Sequence, residues 1–124
     1  MILLLHNIYR LLIEQRDASR DTYIQAATLF RTAIEANIHQ ACYHLAVLYE
    51  YGHGVEQNYD LAIKYYSQAI EFNNVDSMYH LALMHAYGRG MKQDFSAARS
   101  LFEKAASFEH APSCYYIGLF TFNY

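Results

Sequence analysis

The chain repeats itself, and that repetition limits its fold more than any other feature. Setting residues 41–76 above residues 77–112, an offset of about 36, aligns Tyr43-His44-Leu45-Ala46 with Tyr79-His80-Leu81-Ala82. Tyr51-Gly52 then meets Tyr87-Gly88, Gly54 meets Gly90, Gln57 meets Gln93, and Ala62, Ala69 and Phe72 meet Ala98, Ala105 and Phe108. Exchanges between the copies keep shape, as in Leu48 for Met84, Tyr59 for Phe95 and Tyr66 for Phe102. The register continues backwards through Tyr23, Ala26, Phe30, Ala33, Ile34 and Asn37, and forwards through Ser113, Tyr115, Ile117 and Leu119. A unit of this size cannot bury its apolar face alone, so neighbouring copies must stack.

Each copy reads as two helices. Ala41, Leu45, Leu48 and Tyr49 in the first, and Tyr59, Ala62, Tyr66 and Ala69 in the second, recur at the three-and-four spacing of a helical stripe. Gly52 and Gly88 stand where a left-handed residue ends the first helix at least cost, so both are expected at positive φ. Asn58 and Asp94 are placed to cap the second helix, Asn37 and Asn73 to end it, and Pro112 falls in a first turn. Ala46, Ala62, Ala69, Ala82, Ala98, Ala105 and Gly118 are the small positions that let helix axes approach closely.

The pattern A-x-Y-x-L-A-x-L-Y-x-Y-G-x-G-V-x-x-N-Y-x-x-A-x-x-Y-Y-x-x-A, running from Ala41 to Ala69, resembles a Sel-one-like repeat, a relative of the tetratricopeptide repeat. The resemblance covers about residue 22 to the C-terminus. It departs from the family at Asn37, Asn73 and Glu109, which replace the usual inter-repeat glycine, and in the first helix, where Arg16 and Ala18 stand in for the paired glycines. It implies an all-α, right-handed solenoid of stacked antiparallel helix pairs, about three and a half units in one domain over residues 1–124. Residues 1–21 form a degenerate unit or an N-terminal capping helix, 22–40 the second helix of the first unit, 41–76 and 77–112 two full repeats, and 113–124 a truncated one. It also implies an adaptor or scaffold that binds other proteins.

Composition narrows the function classes. The chain is 54% hydrophobic and 17% charged, which excludes intrinsic disorder. A net charge of −3 offers no general attraction to phosphate backbones, so no nucleic-acid partner is expected. The opening MILLLHNIYRLLI lacks a basic leader, is interrupted by His6 and Asn7, and is too short to span a bilayer. No membrane association is expected, and the cytoplasm is the expected compartment, with periplasm or secretion open. Cys42 and Cys114 occupy equivalent positions two units apart, too distant for a disulfide, and are expected reduced and buried.

Catalytic and metal chemistry finds little footing. There is no G-x-S-x-G, H-E-x-x-H, P-loop or dinucleotide fingerprint, so no catalytic residue, cofactor or metal is assigned. His80 and His85 are five apart, which does not put two imidazoles on one helix face. Arg89, Lys92, Arg99 and Lys104 are interleaved with Asp94, Glu103 and Glu109, a solvated mixed-charge surface.

The aromatic residues, thirteen Tyr and seven Phe, carry the binding expectation. On a helical wheel Leu45 points at the partner helix, whereas Tyr43 and Val47 point nearly opposite. The same holds for Tyr79 and Leu83 and for Tyr115 and Leu119, with His44, His80 and Tyr116 beside them. All of these but Tyr116 form a candidate partner stripe on the concave face, although packing between neighbouring first helices accounts for them too. The apolar ends of the chain are expected to associate with a second copy or a partner, through Ile117, Phe120 and Phe122 or through Leu4, Leu5 and Leu11. Two further readings stay open: a regulatory or assembly subunit of an enzyme complex, and a bacterial repeat-type hydrolase.

Overall fold

The computed structural model describes residues 20–123, with side chains described as far as Thr121. Among the described residues there are six helices and no strand. They are α1 (Arg20–Glu35), α2 (Gln40–Tyr51), α3 (Tyr59–Ile70), α4 (Val75–Tyr87), α5 (Phe95–Ala106) and α6 (Ala111–Asn123). The all-α helix-pair architecture is thus the one expected. The expectations placed on Leu4, Leu5, Leu11 and the N-terminal unit lie outside the described residues, as does the side chain of Phe122.

The helix boundaries have local causes. Gly52 adopts φ 70° and Gly88 φ 66°, and the N–H of each bonds back to the carbonyl of Leu48 or Met84. The next residue does the same, with His53 N to Leu48 O at 3.0 Å and Arg89 N to Met84 O at 2.9 Å. At the second helix, Asn58 Oδ1 accepts from Leu61 N at 3.1 Å and Asp94 Oδ1 from Ala97 N at 3.0 Å. Asn37, Asn73 and Glu109 all sit at positive φ, 63°, 59° and 63°. Asparagine populates that region several-fold more readily than most residues with a Cβ, glutamate among them, so Glu109 carries the most strain of the three.

The described residues divide into two compact units, the first ending at Gln68 and the second beginning at Ala69. In the first, Ala26, Ala27, Phe30 and Ala33 of α1, Ala41, Cys42, Leu45, Ala46, Leu48 and Tyr49 of α2, and Ala62 and Tyr66 of α3 are buried. Gly54 lies so close to α1 that a Cβ there would collide with the backbone of Tyr23 and Ile24. In the second unit, Ala82, Ala86, Ala98, Phe102 and Phe120 form one cluster, with Tyr79, Leu83, Leu101, Tyr116 and Ile117 packed against it. Of the small positions named from the sequence, Ala46, Ala62, Ala69, Ala82, Ala98 and Ala105 are buried, as that role requires.

Three expectations need correcting here. Gly118 is exposed and brings no helix close: a Cβ built on it meets nothing within 4 Å. Cys114 is exposed, whereas its equivalent Cys42 is buried. Cys42 Sγ lies 3.7 Å from Gln68 Oε1 on the second helix of its own copy, and no second helix follows Cys114 among the described residues. Phe120, expected at an intermolecular contact, is 8% exposed, its ring 5.7 Å from Phe95 and 5.6 Å from Phe102. Those two side chains of α5 already bury it.

Candidate functional site

The candidate stripe is placed partly against neighbouring helices and partly in solvent. In the first unit, Tyr43, His44 and Val47 of α2 are half-buried. The His44 ring stacks on Phe30 at 5.3 Å, and Tyr43 lies 5.1 Å from His44 and 6.2 Å from Tyr66. In the second unit, Tyr79 touches four rings: His80 at 5.8 Å, Phe102 at 6.0 Å, His110 at 5.0 Å and Tyr116 at 6.0 Å. Tyr43 and Tyr79 therefore do not point away from the partner helix. A tyrosine ring is long enough to swing back over the second helix of its own copy, which a wheel of Cβ directions does not register. Leu83, His80 and Leu119 are half-buried, and Tyr115 is 65% exposed.

Beside the stripe, the second unit holds a groove of about 180 Å³ lined by Ala86, Tyr87, Gln93, Phe95, Tyr116, Leu119 and Phe120. Tyr87 and Tyr116 bring their hydroxyls to 3.4 Å across its rim. That hydrogen bond, followed by burial, holds the Tyr116 phenol above its ordinary range. Gln93 Nε2 donates to Ala86 O at 2.7 Å, fixing one wall. Of this set, Leu119 belonged to the expected stripe and Tyr116 was expected beside it. Tyr87 and Gln93 belong to the repeat signature itself, which hid their second use.

The first unit holds a more polar cavity of about 490 Å³, lined by Arg31, Tyr49, Leu61 and the 54–58 loop. Arg31 Nη2 donates to Tyr49 Oη at 2.7 Å, and Tyr49 stacks on Tyr65 at 5.9 Å and 10°. Sequence reasoning missed it because Arg31 and Tyr49 come from different copies.

One grouping resembles a hydrolytic triad. His110 Nδ1 is 2.8 Å from Ser113 Oγ, and His110 Nε2 is 3.9 Å from Asp76 Oδ1. Ser113 is fully buried, so its oxygen has no route to a substrate, and 3.9 Å is too long for an orienting hydrogen bond. Among the described residues, no three His, Cys, Asp or Glu side chains cluster closely enough to hold a metal ion. Nor is any described helix long and apolar enough to cross a membrane.

The helix pairs, paired glycines and caps define a class, the helical-repeat proteins. The Sel1 repeat profile matches residues 39–71 and 75–107, more than half the chain, and the protein belongs to the Sel1 repeat family. A Sel1 repeat protein from Oxalobacter formigenes is 27% identical with a TM-score of 0.78, over 94% of this chain and 47% of that one. The chain thus spans about half the length of that relative. The protective antigen c5321 of uropathogenic Escherichia coli, which displays the same repeat fold, matches at 27% identity and TM-score 0.72, over 78% of this chain and 21% of its own. Helicobacter pylori cysteine-rich protein B matches at 25% identity and TM-score 0.68, over 83% and 75%. No curated protein matches. Members of this family are generally protein–protein interaction modules, and the fold is typically non-catalytic.

Proposed function

We propose that this chain is a non-enzymatic interaction module that binds a protein or peptide partner along the first-helix stripe. The stripe comprises Tyr43, His44 and Val47, Tyr79, His80 and Leu83, and Tyr115 and Leu119. The observation that carries this reading is aromatic exposure beside a preformed groove: Tyr115 is 65% exposed and Tyr87 63%. Half-packed rings suit recognition, because neighbouring side chains hold them in place and little entropy is lost when a partner covers them. Tyrosine adds a hydroxyl for hydrogen bonding to a broad apolar face. The net charge of −3 favours a protein over a nucleic acid, and the free Cys42 and Cys114 fit a reducing compartment such as the cytoplasm.

The test is a pull-down from native lysate, repeated with purified partner by calorimetry. Tyr79→Ala/Leu83→Asp should lose the partner, and the surface variant Tyr115→Ser, which disturbs no core packing, should weaken it. Unchanged binding by both variants, with helical content intact, defeats the stripe as the site.

A further inference from the structure

Arg31 lies on α1, and nothing in the repeat requires a cation there. One copy further on, the positions of Arg31, Tyr49 and Tyr65 hold Ser67, His85 and Leu101, so a copy can be built without this trio. In the first unit the trio forms an ordered stack. The Arg31 guanidinium carbon lies 5.8 Å from the centre of the Tyr49 ring, and Nη2 donates to Tyr49 Oη at 2.7 Å. Tyr49 is 9% exposed and stacks nearly parallel to Tyr65, and Lys64 Nζ stands 5.4 Å from the Tyr65 ring at the far end.

The stack leaves donors unspent beside the cavity of about 490 Å³, whose walls all come from residues 31–61. The bond to Tyr49 uses one of the five N–H groups of Arg31, and among the described residues no carboxylate pairs with that guanidinium. Tyr49 Oη accepts from Arg31, and its own proton goes to no acceptor among the described residues. A largely buried phenol that accepts from a cation is polarised to donate onward. Asn58 spends its Oδ1 on the cap to Leu61 N, which leaves its amide N–H groups over. Three kinds of donor thus line one cavity with no anion bound to them. Val55 and Leu61, both half-buried, add apolar surface to the same walls.

We propose that this cavity binds a carboxylate of a partner peptide, seated between Arg31 and the Tyr49 hydroxyl, with an apolar neighbouring residue against Val55 and Leu61. The site stands apart from the first-helix stripe and uses none of its residues. Its volume suits one or two residues of a ligand rather than a whole helix. Glu56 lines the same cavity, exposed and without an ion-pair partner among the described residues. Its charge weighs more heavily against a phosphate dianion than against a carboxylate, which carries half that charge. The planar guanidinium fork matches a carboxylate in shape as well.

The test is an NMR titration of the isotope-labelled full chain with three small probes. Acetyl-leucyl-glutamic acid α-amide carries a side-chain carboxylate, acetyl-glutaminyl-leucine a terminal one, and acetyl-leucyl-glutamine amide none. At least one of the two acids should shift the amide signals of residues 54–58 saturably, the tighter naming the source of the carboxylate, and the uncharged amide should not. Arg31→Gln, at an exposed position, should weaken binding about tenfold or more. Tyr49→Phe keeps the ring stack and should weaken it about threefold. Glu56→Gln should tighten it about twofold. Arg99→Gln, which removes an exposed arginine already paired with Glu103, is the control and should change nothing. No saturable shift with either acid, equal affinity for Arg31→Gln, or equal binding of the uncharged amide overturns the proposal. Inorganic phosphate binding more tightly than both acids overturns it as well. No stripe residue enters the test, so its failure leaves the stripe reading standing.

Discussion

The phenol of Tyr66 donates a 2.6 Å hydrogen bond to Oε1 of Glu50, and both side chains are buried. In the second copy the same two positions hold Ala86 and Phe102, an apolar pair in one cluster. The repeat therefore offers two solutions to one packing problem, and the polar one works only while both partners are present. Glu50→Ala leaves the Tyr66 hydroxyl without that acceptor and is expected to cost about 2–3 kcal/mol in urea unfolding. Adding Tyr66→Phe recreates the second copy's pair and should recover about 1 kcal/mol. A double variant no more stable than Glu50→Ala would count against this coupling.

Burial, and then the neighbouring Glu50 carboxyl, push the Tyr66 phenol far above its ordinary value. The native state therefore keeps that proton where the unfolded chain releases it. Stability from this group is complete below about pH 10 and declines as pH rises further, by about 1.4 kcal/mol per unit. Tyr66→Phe should flatten the alkaline limb of a stability–pH curve. An unchanged slope would show that other groups govern it.

Glu109 holds φ 63°, in the region where a Cβ costs about 1–2 kcal/mol. Glu109→Gly removes that strain against a smaller entropy loss on folding, and should stabilise the chain by about 0.5–1 kcal/mol. Asn37→Gly and Asn73→Gly should gain less, because asparagine already tolerates the left-handed region. Thermal unfolding of the three variants ranks them directly.

Two glycines with similar φ should respond differently to alanine. At Gly88 the new Cβ would meet Gln93 at 3.3 Å, so Gly88→Ala costs mainly the positive φ, about 1–2 kcal/mol. At Gly54 the same atom would run into the backbone of α1, which cannot swing aside as a side chain can. Gly54→Ala should cost about 3 kcal/mol or more, by denaturant titration. Equal costs would place the loop farther from α1 than described.

The two thiols should differ in reactivity. Burial raises the Cys42 thiol pKa and shields its sulfur, whereas Cys114 stands in solvent. A thiol reagent at pH 8 is expected to modify Cys114 rapidly and Cys42 only as the chain opens. Two fast thiols would contradict the packing of Cys42 beside Gln68.

Much of this was legible in the sequence because repetition turns local signals into comparisons. Gly52 and Gly88 fixed the ends of the first helices, and Asn58 and Asp94 the starts of the second, since caps act within one turn of themselves. What escaped was non-local. The reach of Tyr43 and Tyr79 over their neighbours depends on ring length. The exposure of Cys114 depends on which helices pack against its own, and the groove at Tyr87 and Phe95 needs three helices at once. Alignment to Cys42 assigned Cys114 a residue type without its environment.

Gln57 Nε2 donates to Glu50 O at 2.9 Å, just as Gln93 does to Ala86 O, while Asn58 N and Asp94 N reach back to Tyr49 O and His85 O. The turn within each pair is thus held by the same two clasps, whichever residues occupy its outward positions. The exposed Glu56 in one copy becomes the exposed Lys92 in the other without disturbing them. Such a turn behaves as an exchangeable cassette: its rim charge can be rewritten by selection or by design, and the helices on either side need not be told.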